Sequence, residues 1–336
     1  MRGWMIGGAL AIGLASGCLD SRWSLSARAM KEATVRTGDV ALFYRVIGTG
    51  PDTVIVVPGG PGRSMDYLGP AIGPLASAAT WIIYDPRGTG RSRGPSGTAP
   101  LGLAADVADL EALRLALGIE RVGLVGHNTG AAVAAHYAAQ HPEVVRRLAL
   151  ISPYPISQGF VWAWHLLERD TARFRRGGLS YQTTRDSATA AAFCREFWFW
   201  YFQPVFVPPD LPAGSAGGTV CTGASSDLVD PERYQLSWLK TASGHDWRSS
   251  FGAVTAPTLV IEGVTGRPGH LFEVHADTWA RAFADGRTAA LRGGALLPWL
   301  SRPAEFQSIL SQFLAGQWPA EAIRPGPADS ATAGDR

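Results

Sequence analysis

The sequence predicts an α/β protein: a mostly parallel, doubly wound sheet covered by helices on both faces, with a helical cap inserted after strand 6. Three observations lead there. Short β-branched runs alternate with segments of helical spacing from residue 40 to 151 and again from 257 to 314. Alternation of that kind builds a parallel sheet between two helix layers. Between residues 152 and 250 the alternation stops, and aromatic-rich and Pro/Gly/Ser-rich stretches take over. Finally, 336 residues, 46% of them hydrophobic, suffice for one large core plus such an insertion, and 40 glycines with 23 prolines point to many tight connections.

The elements follow in order. Val40 to Ile47, Thr53 to Val57 and Ala79 to Tyr84 are β-branched or aromatic runs bounded by Gly, Pro and Asp, and read as strands. Leu103, Val107, Leu110, Leu113 and Leu117 recur at helical spacing, with acids near the start. Arg121 to Val125 and Arg147 to Ile151 are strands on either side of an alanine-rich helix, Gly130 to Gln140. After the insertion come a strand (Thr258 to Ile261), a helix (Leu271 to Phe283), a strand (Arg287 to Leu291) and a helix (Ala304 to Leu314). Within the insertion, the Phe160 to Trp164 and Phe197 to Phe202 runs read as cap core or as the wall of an apolar pocket.

The N-terminus differs from the rest. Arg2 precedes an apolar run from Trp4 to Leu14, then Ala15-Ser16-Gly17-Cys18. Crossing a bilayer takes about 20 apolar residues, so this run is too short to span and reads as a secretory signal. Small residues directly before Cys18 resemble a bacterial lipobox. That resemblance implies a diacylated Cys18 and a protein anchored in the cell envelope, facing the periplasm or the outside; ordinary signal cleavage and soluble secretion is the alternative. Export would place Cys194 and Cys221 in an oxidising compartment, as a disulfide or as two buried thiols. The expected organisation is a signal with lipobox at 1–18, a tether at 19–35, a core of 36–152 and 251–316, a cap at 153–250 and a disordered tail at 317–336. A net charge of +2 gives no electrostatic reason for a nucleic-acid partner.

Three loops carry the chemistry. Val57-Pro58-Gly59-Gly60-Pro61-Gly62 follows a strand, Asp85-Pro86-Arg87-Gly88-Thr89-Gly90-Arg91-Ser92 follows the next, and Gly126-His127-Asn128-Thr129-Gly130 joins a strand to a helix. They resemble the His-Gly-Gly-Pro-Gly loop, the Asp-x-Arg-Gly-x-Gly-x-Ser loop and the Gly-x-Ser-x-Gly nucleophile elbow of α/β hydrolases of the proline iminopeptidase type. The resemblance runs from about Val40 to Leu314, is weak in the cap, and implies the α/β-hydrolase fold. A strand-to-helix elbow needs glycine at both flanks and presents one side chain at a helix N-terminus, where free N–H groups can hold an oxyanion.

Measured against that family, all three catalytic positions carry other residues. The elbow presents Asn128, whose carboxamide has no ionisable proton and is a poor nucleophile. Where the family has Pro-Thr-Leu-Val-Ile-x-Gly-x-x-Asp, this chain reads Pro257 to Gly266, with Gly266 at the aspartate; Glu262 stands nearby but a turn early. Aligning Pro298-Trp299 on the family's Gly-His-x-Pro-Trp segment puts Leu296 where the histidine belongs, and leucine cannot accept a proton. An aspartate made by deamidation of Asn128 would resemble the haloalkane dehalogenase nucleophile, but without a histidine its ester would not turn over. His245, His270 and His275 are candidates for a relocated base, and His127 reads as a packing residue.

No His/Cys/Asp cluster has metal-ligand spacing, and the glycine loops lack the Lys-Ser/Thr pair of a phosphate loop, so neither metal nor cofactor is expected. The sequence therefore leads to a lipid-anchored pseudoenzyme. It would hold a small, partly apolar molecule, a peptide or a partner protein in the cleft, using backbone donors near Gly59, Gly60 and Thr129 and the amide of Asn128. The rival readings are an active peptidase or esterase with rearranged catalytic groups, and a structural envelope lipoprotein whose cleft is filled by its own side chains.

Overall fold

The computed structural model describes residues 31–38, 40–59, 63–92, 101–157, 244–264, 273–294 and 296–326. Eight described strands form one sheet: β1 (Lys31–Thr37), β2 (Val40–Ile47), β3 (Thr53–Val57), β4 (Thr80–Tyr84), β5 (Val122–His127), β6 (Val145–Ile151), β7 (Thr258–Val264) and β8 (Gly286–Arg292). Their order is β1-β2-β4-β3-β5-β6-β7-β8. β2 pairs antiparallel with β1 and β4, and every other pairing is parallel. The order reverses between β3 and β5, the topological switch point at which open α/β sheets leave a crevice outside the strand C-termini.

Helices cover both faces, as the alternation requires. α2 (Leu103–Ala116), α3 (Thr129–Gln140) and α4 (Glu273–Arg281) close one core around Leu110, Tyr137, Leu150 and Trp279. The short α1 (Gly69–Ile72) and α5 (Pro298–Ser301), with α6 (Pro303–Leu314), close the other around Trp81, Ile261, Phe306 and Phe313. The central strands bury both faces and so read as unbroken apolar runs.

Two expected boundaries need correction. The supposed tether at 19–35 ends in β1, which pairs residue for residue with β2 from Lys31–Val46 to Thr37–Val40. Its Lys-Glu-Ala-Thr-Val-Arg-Thr sequence looked unstructured because an edge strand carries charge and keeps only one face dry. The expected disordered tail begins as packed chain. Trp318 lies against Phe313 with centroids 5.2 Å apart and under the Arg287 guanidinium at 4.0 Å. Thr288 and Ile323 then exchange two backbone hydrogen bonds. The ends of the insertion stand side by side: Ser157 bridges Asp246, and Trp247 N–H donates to Ile156 O at 2.9 Å.

The loop after β4 is a structural staple. Fully buried Asp85 accepts from the N–H groups of Met65 and Arg91 and from Arg91 Nε, each at 2.8 Å. Ser92 Oγ donates to Asp85 O and accepts from Phe43 N–H at 2.8 Å, which ties the loop to β2. Arg87 grips Asp109 of α2 in a buried bidentate pair, Nη2–Oδ1 2.6 Å and Nε–Oδ2 2.7 Å. Removing one partner strands a charge in low dielectric. We therefore expect Asp109→Ala to lose about 3–5 kcal/mol in urea unfolding, and Arg87→Met/Asp109→Leu to recover most of it. Equal losses in the single and double variants would contradict this.

Candidate active site

The site is built at the switch point, where the loops after β3 and β5 meet. Asn128 follows β5 with φ 50° and ψ −116° and is the N-cap of α3. A left-handed φ on a non-glycine residue costs on the order of 1–3 kcal/mol and persists only where surrounding structure dictates it. Close backbone approach does so here. A Cβ at Gly130 would stand 2.2 Å from Val57 O, and one at Gly126 would stand 2.5 Å from Ala131 Cα. A Cβ at Gly59 would meet His127 O at 2.0 Å and Asn128 Cβ at 2.7 Å, so the β3 loop lies directly on the elbow.

A chain of neutral hydrogen bonds locks these loops together. His127 Nε2 lies 2.9 Å from Leu296 O, which can only accept, so this nitrogen carries the proton. His127 Nδ1 must then accept, and Tyr67 Oη donates to it at 2.8 Å. Tyr67 Oη accepts in turn from Gly59 N–H at 2.7 Å. Trp299 packs edge-on against the imidazole, centroids 5.0 Å apart. Burial, with the Arg63 charge nearby, pulls His127 down to about 4, so the ring stays neutral.

This arrangement corrects one expectation. Gly59 N–H is committed to Tyr67 and is not a free donor for a ligand carbonyl. Thr129 opens α3, so its N–H has no partner within the helix. Leu296 is buried, and its carbonyl is the outer anchor of the His127 chain. Gly60, Gly266, His270, Cys18, Cys194 and Cys221 lie outside the described residues, as do the two aromatic runs of the insertion.

His245 and His275 are brought together, but as posts of the insertion's stem. His245 Nε2 donates to Pro155 O at 2.9 Å, and Ile156 N–H donates to His275 Nε2 at 3.1 Å. Trp247 packs tilted against His245, centroids 4.1 Å apart, and meets His136 edge-on at 5.0 Å. Burial, helped by His245, lowers His136 to about 4 and His275 to about 3. Among the described residues no group of His, Cys, Asp and Glu could hold a metal ion.

Sequence reasoning missed two residues and undervalued a third. Tyr67 gave no signal. Ser152, directly after β6, is fully buried with φ 40°. Glu262 is 2% exposed in β7, and burial pushes its carboxyl well above the usual carboxylate range. A glutamate inside the apolar run Leu-Val-Ile-Glu-Gly-Val was the available clue.

Known proteins match this architecture. A family model described as the alpha/beta hydrolase fold matches residues 52–199. A proline iminopeptidase of Heyndrickxia coagulans is 35% identical over 289 residues, covering 83% of this chain and 96% of its own. The chain belongs to the α/β-hydrolase fold family. A fluoroacetate dehalogenase of Burkholderia sp is 29% identical over 315 residues, 84% of this chain and 92% of that protein. The crystal structure of proline iminopeptidase from Mycobacterium smegmatis superposes with TM-score 0.59 at 22% identity, over 85% of this chain and 98% of that one. At that identity the superposition speaks for the α/β-hydrolase fold alone.

Two predictions follow from the buried imidazoles and the Tyr67 chain. Above pH 6.5 the ordinary histidine is neutral, so a neutral buried ring costs the fold nothing. Below it, unfolded chains bind protons that folded His127 and His275 refuse. The stability contributed by these two rings is therefore full above pH 6.5 and is lost with acid down to about pH 4 for His127 and about pH 3 for His275, against the opposite and smaller one-proton effect of the buried Glu262 acid. Each contributes up to about 1.4 kcal/mol per pH unit. Urea unfolding at pH 7, 5.5 and 4.5 reads this, and an unchanged midpoint would refute it. Tyr67→Phe leaves Gly59 N–H and His127 Nδ1 unpaired and should cost about 1–3 kcal/mol in the same assay at pH 7.

Proposed function

We propose that this α/β-hydrolase is an exported, lipid-anchored pseudoenzyme. In this reading it binds a small, partly apolar ligand, or a peptide of a partner protein, in the cleft at the C-terminal edge of the sheet. The observation that carries the reading is the strained elbow presenting Asn128. The fold maintains a costly backbone conformation at the N-terminus of α3, yet the presented amide cannot attack an acyl carbon. What such a device can still do is bind. Thr129 N–H and the α3 dipole favour a carbonyl oxygen, and the Asn128 amide adds a directional donor or acceptor. Leu296, which the alignment sets at the histidine position, offers its carbonyl to His127 and no base to the cleft.

The second reading, an active hydrolase with rearranged groups, draws on the relatives. Proteins named fluoroacetate dehalogenase and proline iminopeptidase match over more than four fifths of this chain.

A fluorophosphonate probe separates the two: we expect no labelling of purified protein, and labelling at a cleft residue would overturn the binding reading. Under the same reading, Asn128→Ser, Gly266→Asp and Leu296→His combined should restore measurable p-nitrophenyl ester cleavage, with each single variant inactive. Cys18→Ala should release the protein from membranes; unchanged membrane association would argue against the anchor.

A further inference from the structure

The two edges of the sheet are managed differently. At β8 the chain covers itself, since Thr288 and Ile323 exchange backbone hydrogen bonds. At β1 no described residue pairs with the far side of the strand. Such an edge presents a row of backbone donors and acceptors that can template another strand.

The bonds of Phe43 fix which groups point outward. Phe43 N–H donates to Ser92 Oγ at 2.8 Å, and Phe43 O accepts from Asp85 N–H at 2.9 Å, both on the β4 side of β2. Thr34 stands opposite Phe43 in the β1–β2 ladder. That pair is therefore a non-hydrogen-bonded one, and the N–H and C=O of Thr34 face away from β2. Alternation along the strand turns those of Glu32 and Arg36 the same way. The side chains divide likewise: Ala33 and Val35 pack on the core, whereas Glu32, Thr34 and Arg36 are exposed on the opposite face. An alternating row of charge runs along that face. Asp85 pairs with Arg91, Arg91 with Asp66, Asp66 with Arg45, and Arg45 with Glu32. The row ends at Glu32, whose side chain is 42% exposed. Arg36, toward the other end of β1, makes no ion pair or side-chain hydrogen bond among the described residues.

We propose that the β1 edge is a dimerisation surface whose partner is β1 of a second copy of this chain. Homodimers are two-fold symmetric, and a strand that meets its own copy across a two-fold axis pairs antiparallel. With Thr34 on the axis, Glu32 falls opposite the partner's Arg36, Ala33 opposite the partner's Val35, and Thr34 opposite its own copy. The outward N–H and C=O groups of Glu32, Thr34 and Arg36 then close about six backbone hydrogen bonds. Each Arg36 gains a carboxylate, and each row of alternating charge continues into the other copy. Opposite charges directly across a strand pair stabilise it, and like charges there repel. Centring the axis on Ala33 or Val35 instead would set Glu32 or Arg36 opposite Thr34 and leave the charges unmatched. Charge complementarity therefore selects both the occupant and its register.

Sedimentation velocity of the purified full chain over a concentration series tests this, with melting as the control on folding. Wild-type protein should be dimeric at about 100 μM and dissociate on dilution. Arg36→Glu and Glu32→Arg each set like charges across both pairs and should each weaken self-association at least about tenfold. An equimolar mixture of the two variants brings opposite charges together again across both pairs and should recover dimers. A merely structural role for either residue would give no such recovery. Thr34→Pro, whose lost N–H serves no bond to β2, should fold and be monomeric. In the wild-type dimer the amides of Glu32, Thr34 and Arg36 should exchange slowly with deuterium. A wild-type monomer at that concentration overturns the proposal: slow exchange at those amides would then assign the edge to another segment of the same chain, and fast exchange would leave it open. A dimer unmoved by all three variants, or a mixture no more associated than its parts, overturns it as well.

Discussion

One neutral imidazole holds the site together. His127 donates to Leu296 O, accepts from Tyr67, and through Tyr67 fixes Gly59 N–H, so one ring ties the loops after β3, β5 and β8 to the helical segment that follows the β3 loop. Each group in this chain is buried, and each bond fixes the direction of the next, because a carbonyl can only accept and an amide N–H can only donate. Such a chain tolerates one protonation state. The environment enforces it by burying the ring among Tyr67, Trp299 and the sheet.

The elbow depends on that lock. Gly59 can lie against His127 O and Asn128 Cβ only because it lacks a side chain, and Gly130 likewise sits against Val57 O. Backbone this tightly apposed cannot relax Asn128 out of its left-handed conformation without moving β3, β5 and α3 together. The strain at Asn128 is a property of the packing, and it persists whether the presented side chain is a nucleophile or an amide. The same tightness explains why Gly59 N–H points into the protein.

Charge is managed differently at the two ends of the described core. Around Asp85, paired charges anchor the loop after β4: Arg91 reaches Asp85 and Asp66, and Arg87 reaches Asp109. Three buried groups on the other side of the site are instead kept neutral by burial, Glu262 of β7 as an acid and His136 of α3 and His275 of α4 as bases. Ion pairs there would fix the loops; neutral groups leave hydrogen-bonding capacity in a dry setting, where each bond is electrostatically stronger than in water.

Much of this was legible in the chain. The β-branched runs placed strands 2 to 8 to within a few residues, and the Gly-x-Asn-x-Gly segment located the elbow, because glycine at both flanks has a steric cause that acts locally. The Asp85 to Ser92 loop was legible as a motif, though its work as a staple was not. β1 and Trp318 escaped notice because an edge strand and a surface tail have no strong periodicity of their own and gain order from what they pair with. Tyr67, Ser152 and Glu262 belong to the same class. They come from separate segments, 67, 152 and 262 along the chain, and only sheet register and loop closure bring them to the elbow. The sequence by itself determined the layers and the chemistry that Asn128 cannot perform. Tertiary structure decided which donors face the cleft and which ionisable groups are neutral, since both depend on burial and on partners distant in sequence.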